Sequence, residues 1–439
     1  MWVRSQWQNV VRGFWFFPGV VALGGVGLAL ALLEVDRAAG PDGLAGALAF
    51  DGDASAARTI LGTIAGSLIT VAGLAFSITV VTLQLVAGQF TPRAVRSFLG
   101  DRPSQLVAGA FVGIFAYCLL VLRAVRDEDD DFEGFVPALS VTVSIALGLL
   151  GLVLLLVFIH RITQLVKVEN IAARIARETT QAIDELYPEP HGGRALPEAD
   201  EGPDSWARTA EPWVVRPERP GYVRSIALAE LTGVGLPPGA RVHVAVRPGD
   251  AVTRATALME AWPRAAAEEA AERLRGLVSV QSERDVSQDT GFGIRQLADL
   301  AVRALSPGIN DPTTAVTSIA YLRDALELLA VRRFPDRLRR LEGDLVVHAE
   351  AHGFESLLRE AFAEIGLYAR SNARVVLAVL DALAGVASAA EEAGAGRRAT
   401  AATALAEEVG RPAVAEARTE RDRALLEAAL ARAGAAGGR

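Results

Sequence analysis

His348 and His352 stand four residues apart in "HAEAHGFE", with Glu350 and Glu355 beside them. On a helix that spacing turns two imidazoles to one side, where they could share a divalent metal. The order is not HExxH, however, Gly353 threatens a helix just beyond the pair, and the string offers no third ligand. A packed or solvated helical pair is the preferred expectation, and no metal or cofactor is assigned.

A second group, Ser306, Asn310, Asp311, Thr313 and Thr314, lies in "ALSPGINDPTTAV". Asp311 followed by Pro312 is a helix-start signal. The carboxylate accepts from free amides, and proline fills the first helical position where its missing N–H costs nothing. Gly308 is expected to be the left-handed residue that closes the preceding helix. Amides at such a start could instead receive an anion or another polar ligand. The capped corner is preferred, because Asp311 satisfies those same amides.

A third group is Thr63, Ser67, Thr70, Ser77 and Gln84, at steps of four, three, seven and seven, which makes one polar stripe along a helix. Gly62 and Gly66 set a small-xxx-small patch beside it. Hydroxyls and glycines can let membrane helices approach and hydrogen-bond across their contact. Alternatively, several copies around an axis could present the stripe to water. Packing is preferred, and both uses stay open.

Much familiar chemistry is excluded. Lys167 is the only lysine, so a phosphate loop with its lysine and a Schiff-base cofactor have no residue to use. Neither GxGxxG nor GxSxG occurs. A single cysteine, Cys118, rules out a disulfide within the chain and a four-cysteine zinc site. The expectation is a protein that is not an enzyme.

The elements that must position these groups follow from hydropathy. With 51% hydrophobic residues over 439 positions, the chain is too apolar for an ordinary soluble protein and too polar to be membrane throughout. Residues 14–33, 60–86, 106–122 and 136–159 contain no Asp, Glu, Lys, Arg or His. Each is long enough, or nearly so, to cross a hydrocarbon layer of ~30 Å as a helix. Arg4 and Arg12 precede the first stretch, Arg93, Arg96 and Arg102 follow the second, and Arg161, Lys167, Arg174 and Arg177 follow the fourth. The other two loops are acidic, with Asp36 and Asp53 in one and Asp127 in the other. The asymmetry predicts a multi-pass inner (plasma) membrane protein with both termini in the cytoplasm. Trp15 fits an interfacial aromatic belt. No ionisable group lies in a span core, which disfavours proton relays and voltage sensors. The net charge of -8 and the lack of a basic stripe with aromatics argue against nucleic acid.

The expected fold is mainly α: a four-helix transmembrane domain with a cytoplasmic α+β domain, the latter a small β-barrel-like unit plus a helical bundle. Residues 1–160 form the membrane part and 161–186 a helical stalk continuing the fourth span, through Ile162, Leu165, Val166, Ile171, Ile175 and Ile183. A flexible linker over 187–212 is rich in Pro, Gly and acids. In the β-rich unit, 213–262, "RVHVAVRPGD" puts Val242, Val244 and Val246 on one face and "GYVRSIAL" is a partner strand. The pattern is similar to a lipoyl-like half-barrel without its carrier lysine. A helical domain covers 263–384, with a possible strand at "LVSVQS" and the SPGINDP corner. An Ala-rich helical tail fills 385–439.

Three stretches carry a resemblance: "FSITVVTLQLVAGQFTPRAVRSFLGDR", "RPGYVRSIALAEL" with "VAVRPGDAV", and above all "QDTGFGIRQLADLAVRALSPGINDPTTAV". They resemble a bacterial predicted membrane protein family, domain of unknown function 2254, from the first span to about Leu383. The resemblance implies four membrane helices and a cytoplasmic domain, with no activity to carry over.

Two functional expectations remain. One is a homo-oligomeric channel-like protein in the lipid bilayer, its path lined by the second span and gated or assembled by the cytoplasmic domain. The other is a membrane-anchored sensor or scaffold that binds an unknown ligand or protein partner through the corner or the β unit.

Overall fold

The computed structural model describes residues 16–39, 50–89, 102–127, 134–165, 168–190, 203–341 and 344–437. The expectations placed on Arg4, Arg12, Trp15, Arg93, Arg96, Val166 and Lys167 lie outside the described residues. The chain divides into two compact units, Met1–Ile171 and Ala172–Arg439.

The first unit holds α1 (Phe16–Ala39), α2 (Ala54–Gln89), α3 (Arg102–Ala124) and α4 (Ala138–Leu165). Half of the apolar window of α3 is buried, against 17% for each of the other three, so α3 is the central helix. Val107, Phe111, Ile114, Cys118 and Val121 recur at helical spacing along it, each at most 5% exposed. Gly109 and Gly113 let α1 approach closely, since a β-carbon at Gly109 would come within 2.7 Å of the Pro18 Cα and one at Gly113 within 3.3 Å of the Ala22 Cα. This is the small-xxx-small contact of membrane helices.

The acidic positions have a second use. The Asp36 carboxylate, at the C-terminal end of α1, accepts from the Leu139 and Ser140 amides at 3.0 Å and from the Ser140 hydroxyl at 2.6 Å. It caps α4, whose positive N-terminal end offsets the unfavourable place of Asp36 on its own helix. Tyr117 donates its hydroxyl proton to the Ser140 carbonyl at 2.8 Å. Asp53 accepts from the Ala56 amide at 2.7 Å at the start of α2.

The second unit begins with most of α5 (Val168–Leu186), followed by α6 (Pro203–Thr209). Where the sequence suggests only a flexible linker, α6 is held by Trp206, 1% exposed. Seven residues are too few to show a period, so one buried indole decides the segment.

The strands are β1 (Trp213–Val215), β2 (Gly221–Ile226), β3 (Arg241–Val244), β4 (Ala251–Val252), β5 (Met259–Trp262), β6 (Val278–Gln281), β7 (Leu338–Arg340) and β8 (Val346–Ala349). Among the described residues they form two open sheets, of order β1-β5-β3-β8-β7 and β4-β2-β6. The barrel expectation is therefore corrected: neither sheet closes. The "GYVRSIAL" strand, β2, pairs with β4 and β6 rather than with β3. The partners of β3 are β5, antiparallel, and β8, parallel. A parallel pair needs a long crossover, so β8 comes from far along the chain. Val223, Val242, Val244, Val252, Val278 and Val347 bury both sheets in one apolar core.

Between β5 and β6 run α7 (Arg264–Glu269) and α8 (Ala271–Gly276). The remaining helices are α9 (Thr290–Ala304), α10 (Pro312–Ala330), α11 (Phe354–Ala369), α12 (Ala373–Glu392), α13 (Gly396–Ala415) and α14 (Glu420–Ala436). By length and composition α12 is a fifth helix able to cross a membrane, where the sequence reading counted four. Val375, Val376, Val379, Leu380, Leu383 and Val386 on it are fully buried, with α10, α13 and α14 packed against it. A helix packed by three neighbours needs a wide apolar face, and α12 carries its charged Arg374 and Asp381 at exposed positions.

Candidate functional site

The polar stripe of α2 faces out of its unit. Thr63, Ser67, Thr70, Ser77 and Gln84 are all exposed, while Leu61, Ala65, Leu68 and Ala75 make the buried side of the same helix. Gly62, Gly66 and Gly73 would each accept a β-carbon with nothing inside 4 Å. The close glycine contact of this unit thus belongs to Gly109 and Gly113, which the sequence reading passed over, and the Gly62 and Gly66 patch is left open. Thr63 and Thr70 donate to the carbonyls of Thr59 and Gly66, at 2.7 and 2.9 Å, so their hydroxyls are satisfied within α2. A groove of about 210 Å³ between α2 and α4 is lined by Thr63, Ser67, Gly148 and Gly151 among others.

At the SPGINDP corner the carboxylate does what its position suggests. Asp311 accepts from the Thr313 and Thr314 amides, each at 3.1 Å, and from the Thr314 hydroxyl at 2.6 Å. These bonds, the hydroxyl first, hold its carboxyl below the usual carboxylate range. The left-handed residue is Asn310, at φ 47°, and not Gly308. The correction has a local cause: Asn tolerates that conformation, and the Asn310 amide donates back to the Ser306 carbonyl at 2.9 Å. The Ile309 amide donates to the same carbonyl at 3.0 Å, so Ser306 anchors the turn.

The helical histidine pair is overturned. His348 lies in strand β8 and His352 in the loop before α11. Four residues along an extended chain do not face as they do on a helix, and the two do not converge. Instead β3 and β8 set His243 directly opposite His348, and β3 and β5 set His243 opposite Glu260. His243, His348 and Glu350 bring one ligand atom each within 4.8 Å of one another. Burial, then His243, push the His348 pKa down, which keeps that ring neutral. Sequence reasoning missed His243. Its signal was the phase: His243 falls between the core valines 242 and 244, as His348 falls between Val347 and Ala349.

His352 borders a buried pair instead. Asp289, 2% exposed, accepts from Arg284 Nε at 2.9 Å and Nη2 at 2.7 Å, and caps α9 by accepting from the Phe292 amide at 3.0 Å. Burial raises the Asp289 pKa, and Arg284 opposes the shift. Burial and Arg247 lower that of His352.

Long charge-free helices, packed through backbone contacts at glycine and capped by carboxylates at their ends, define the class: a membrane protein with several apolar helices. The chain belongs to the predicted membrane protein family DUF2254, whose model matches residues 12–385. It is 31% identical over 427 residues to an uncharacterized protein of Mycobacterium bovis and to one of Mycobacterium tuberculosis, covering 95% of this chain and 80% of each relative. No solved structure matches it.

Proposed function

We propose that the protein is a homo-oligomeric, channel-like protein of the inner (plasma) membrane. In this reading both termini and the second unit lie in the cytoplasm, a placement that the arginine asymmetry of the loops supports. Copies of α2 meet around an axis and line a passive path, and the second unit assembles or gates it. No enzymatic step is part of the reading.

One observation carries it: the stripe from Thr63 to Gln84, with the glycines beside it, is exposed on the unit's surface, its Thr63 and Ser67 end bordering the groove between α2 and α4. Small and polar residues facing lipid gain nothing there, whereas against another copy they allow close approach and hydrogen bonding. Hydroxyls also suit a wet wall without ionisable groups.

The test is purified full-length protein in lipid vesicles, examined for subunit count and for ion flux. Oligomers that conduct are expected, and a triple variant, Ser67→Leu, Thr70→Leu and Ser77→Leu, should insert normally and lose the flux. A monomer without flux, or flux untouched by the triple variant, rejects the proposal in favour of a membrane-anchored sensor or scaffold.

A further inference from the structure

We propose that His243, His348 and Glu350 form a binding site for one divalent transition metal of the zinc type on the five-stranded sheet. The site is independent of the channel reading.

The register builds it. Glu260, His243 and His348 stand side by side on three adjacent strands, because β5 pairs with β3 and β3 with β8 without a shift. Val242, Val244, Val347 and Ala349 turn into the core, so the alternation of a strand puts both imidazoles on the other face. Glu350 lies two residues beyond His348 and returns to that face. Its amide donates to the Val244 carbonyl at 3.1 Å, which ties its backbone to β3.

The ligand atoms are available. His243 Nε2 and His348 Nδ1 are both buried, and neither has a hydrogen-bond partner among the described residues. Buried polar atoms left so are uncommon in a folded protein, and here two of them belong to facing rings. The ring centroids are 5.2 Å apart at 57°, a tilt that does not stack the rings. On the far side of His243, Nδ1 faces Glu260 Oε2 at 3.3 Å. A carboxylate there holds the proton on Nδ1 and leaves the Nε2 lone pair free for a metal, an arrangement common behind metal-bound histidines.

The donor set decides the class of ion. Calcium and magnesium want oxygen ligands, whereas two imidazoles with one carboxylate suit zinc, cobalt or nickel. A tetrahedral ion with bonds of ~2.0–2.2 Å needs its ligand atoms ~3.3 Å apart. In the present group the ligand atoms lie within 4.8 Å of one another, so binding has to draw them together. Three protein ligands leave a fourth position for water.

The experiment uses the full-length protein in detergent, stripped with a chelator and titrated with Co²⁺ by its visible absorption, then with Zn²⁺ against a chromogenic indicator. One equivalent per chain is expected, with a cobalt spectrum of low coordination number that Zn²⁺ abolishes. His243→Ala and His348→Ala should lose the binding, Glu260→Gln should weaken it about 10-fold or more, and His160→Ala should leave it unchanged. Lack of stoichiometric metal on the wild-type protein overturns the proposal, as does binding that survives His348→Ala or depends on His352 instead. If the histidine variants fail to fold, Glu350→Gln decides: unchanged Co²⁺ affinity and spectrum in that variant reject the site.

Discussion

Gly25 and Gly113 meet backbone to backbone: a β-carbon added to Gly25 would come within 2.9 Å of the Gly113 Cα and closer still to its carbonyl oxygen. The contact fixes how α1 lies on the central helix α3, whereas the glycines of α2 make no such contact among the described residues.

Gly113→Leu should therefore destabilise the first unit, by about 1–3 kcal/mol as for other overpacked contacts. Gly66→Leu should do so far less, because a β-carbon there meets nothing within 4 Å among the described residues. Thermal melts of both variants in detergent check the contrast. Under the channel proposal Gly66→Leu should instead lower the subunit count.

Asp311→Ala should cost about 0.5–2 kcal/mol through the lost cap of α10. Asp311→Asn, which keeps an acceptor for the Thr313 and Thr314 amides, should cost less. The depressed Asp311 pKa sets the sign of the pH effect. Its contribution is present above the ordinary value of 3.8 and is lost as pH falls through the lower folded value. Chemical denaturation at several pH values measures both effects.

Arg284→Ala should be the more damaging change in the second unit, at about 3–5 kcal/mol, since it strands a buried carboxylate without its partner. Asp289→Asn keeps the acceptor for the Phe292 amide and removes the charge, so its cost should be smaller. Equal costs would show that the guanidinium is not what holds Asp289 in place.

Acid should weaken the second unit below pH 6.5. His352 is held below its ordinary value of 6.5 by burial and by Arg247, with Arg284 acting the same way and Asp289 and Asp250 opposing. Below 6.5 the unfolded chain takes up the proton before the folded one does, so stability falls as pH drops, and it is flat above. His348, lowered by burial and by His243, acts in the same direction. With a chelator present, melting temperatures between pH 5 and 8 should show the decline, and His352→Leu should flatten part of it.

Some of this was legible in the residue order. Charge-free stretches of membrane length are a local property of composition, and α1 to α4 lie where hydropathy places them. The start of α10 is local too, because Asp311 and Pro312 act on amides within three residues. The valine phase of β3 likewise needs only alternation.

What spans long distances was not legible. "VVHAE" is too short to declare strand or helix by its own period; pairing with β7 on one side and with β3 on the other makes it a strand, and the parallel partner β3, about a hundred residues earlier, brings His348 to His243. The apolar α12 has the composition of a span, yet its burial among α10, α13 and α14 comes from contacts the composition does not encode. The α2 stripe could have faced inward or outward. Its direction was decided by Leu61, Ala65, Leu68 and Ala75 packing against α3 and α4, because a helix can turn only one side to its neighbours and the remaining side must face whatever surrounds the unit.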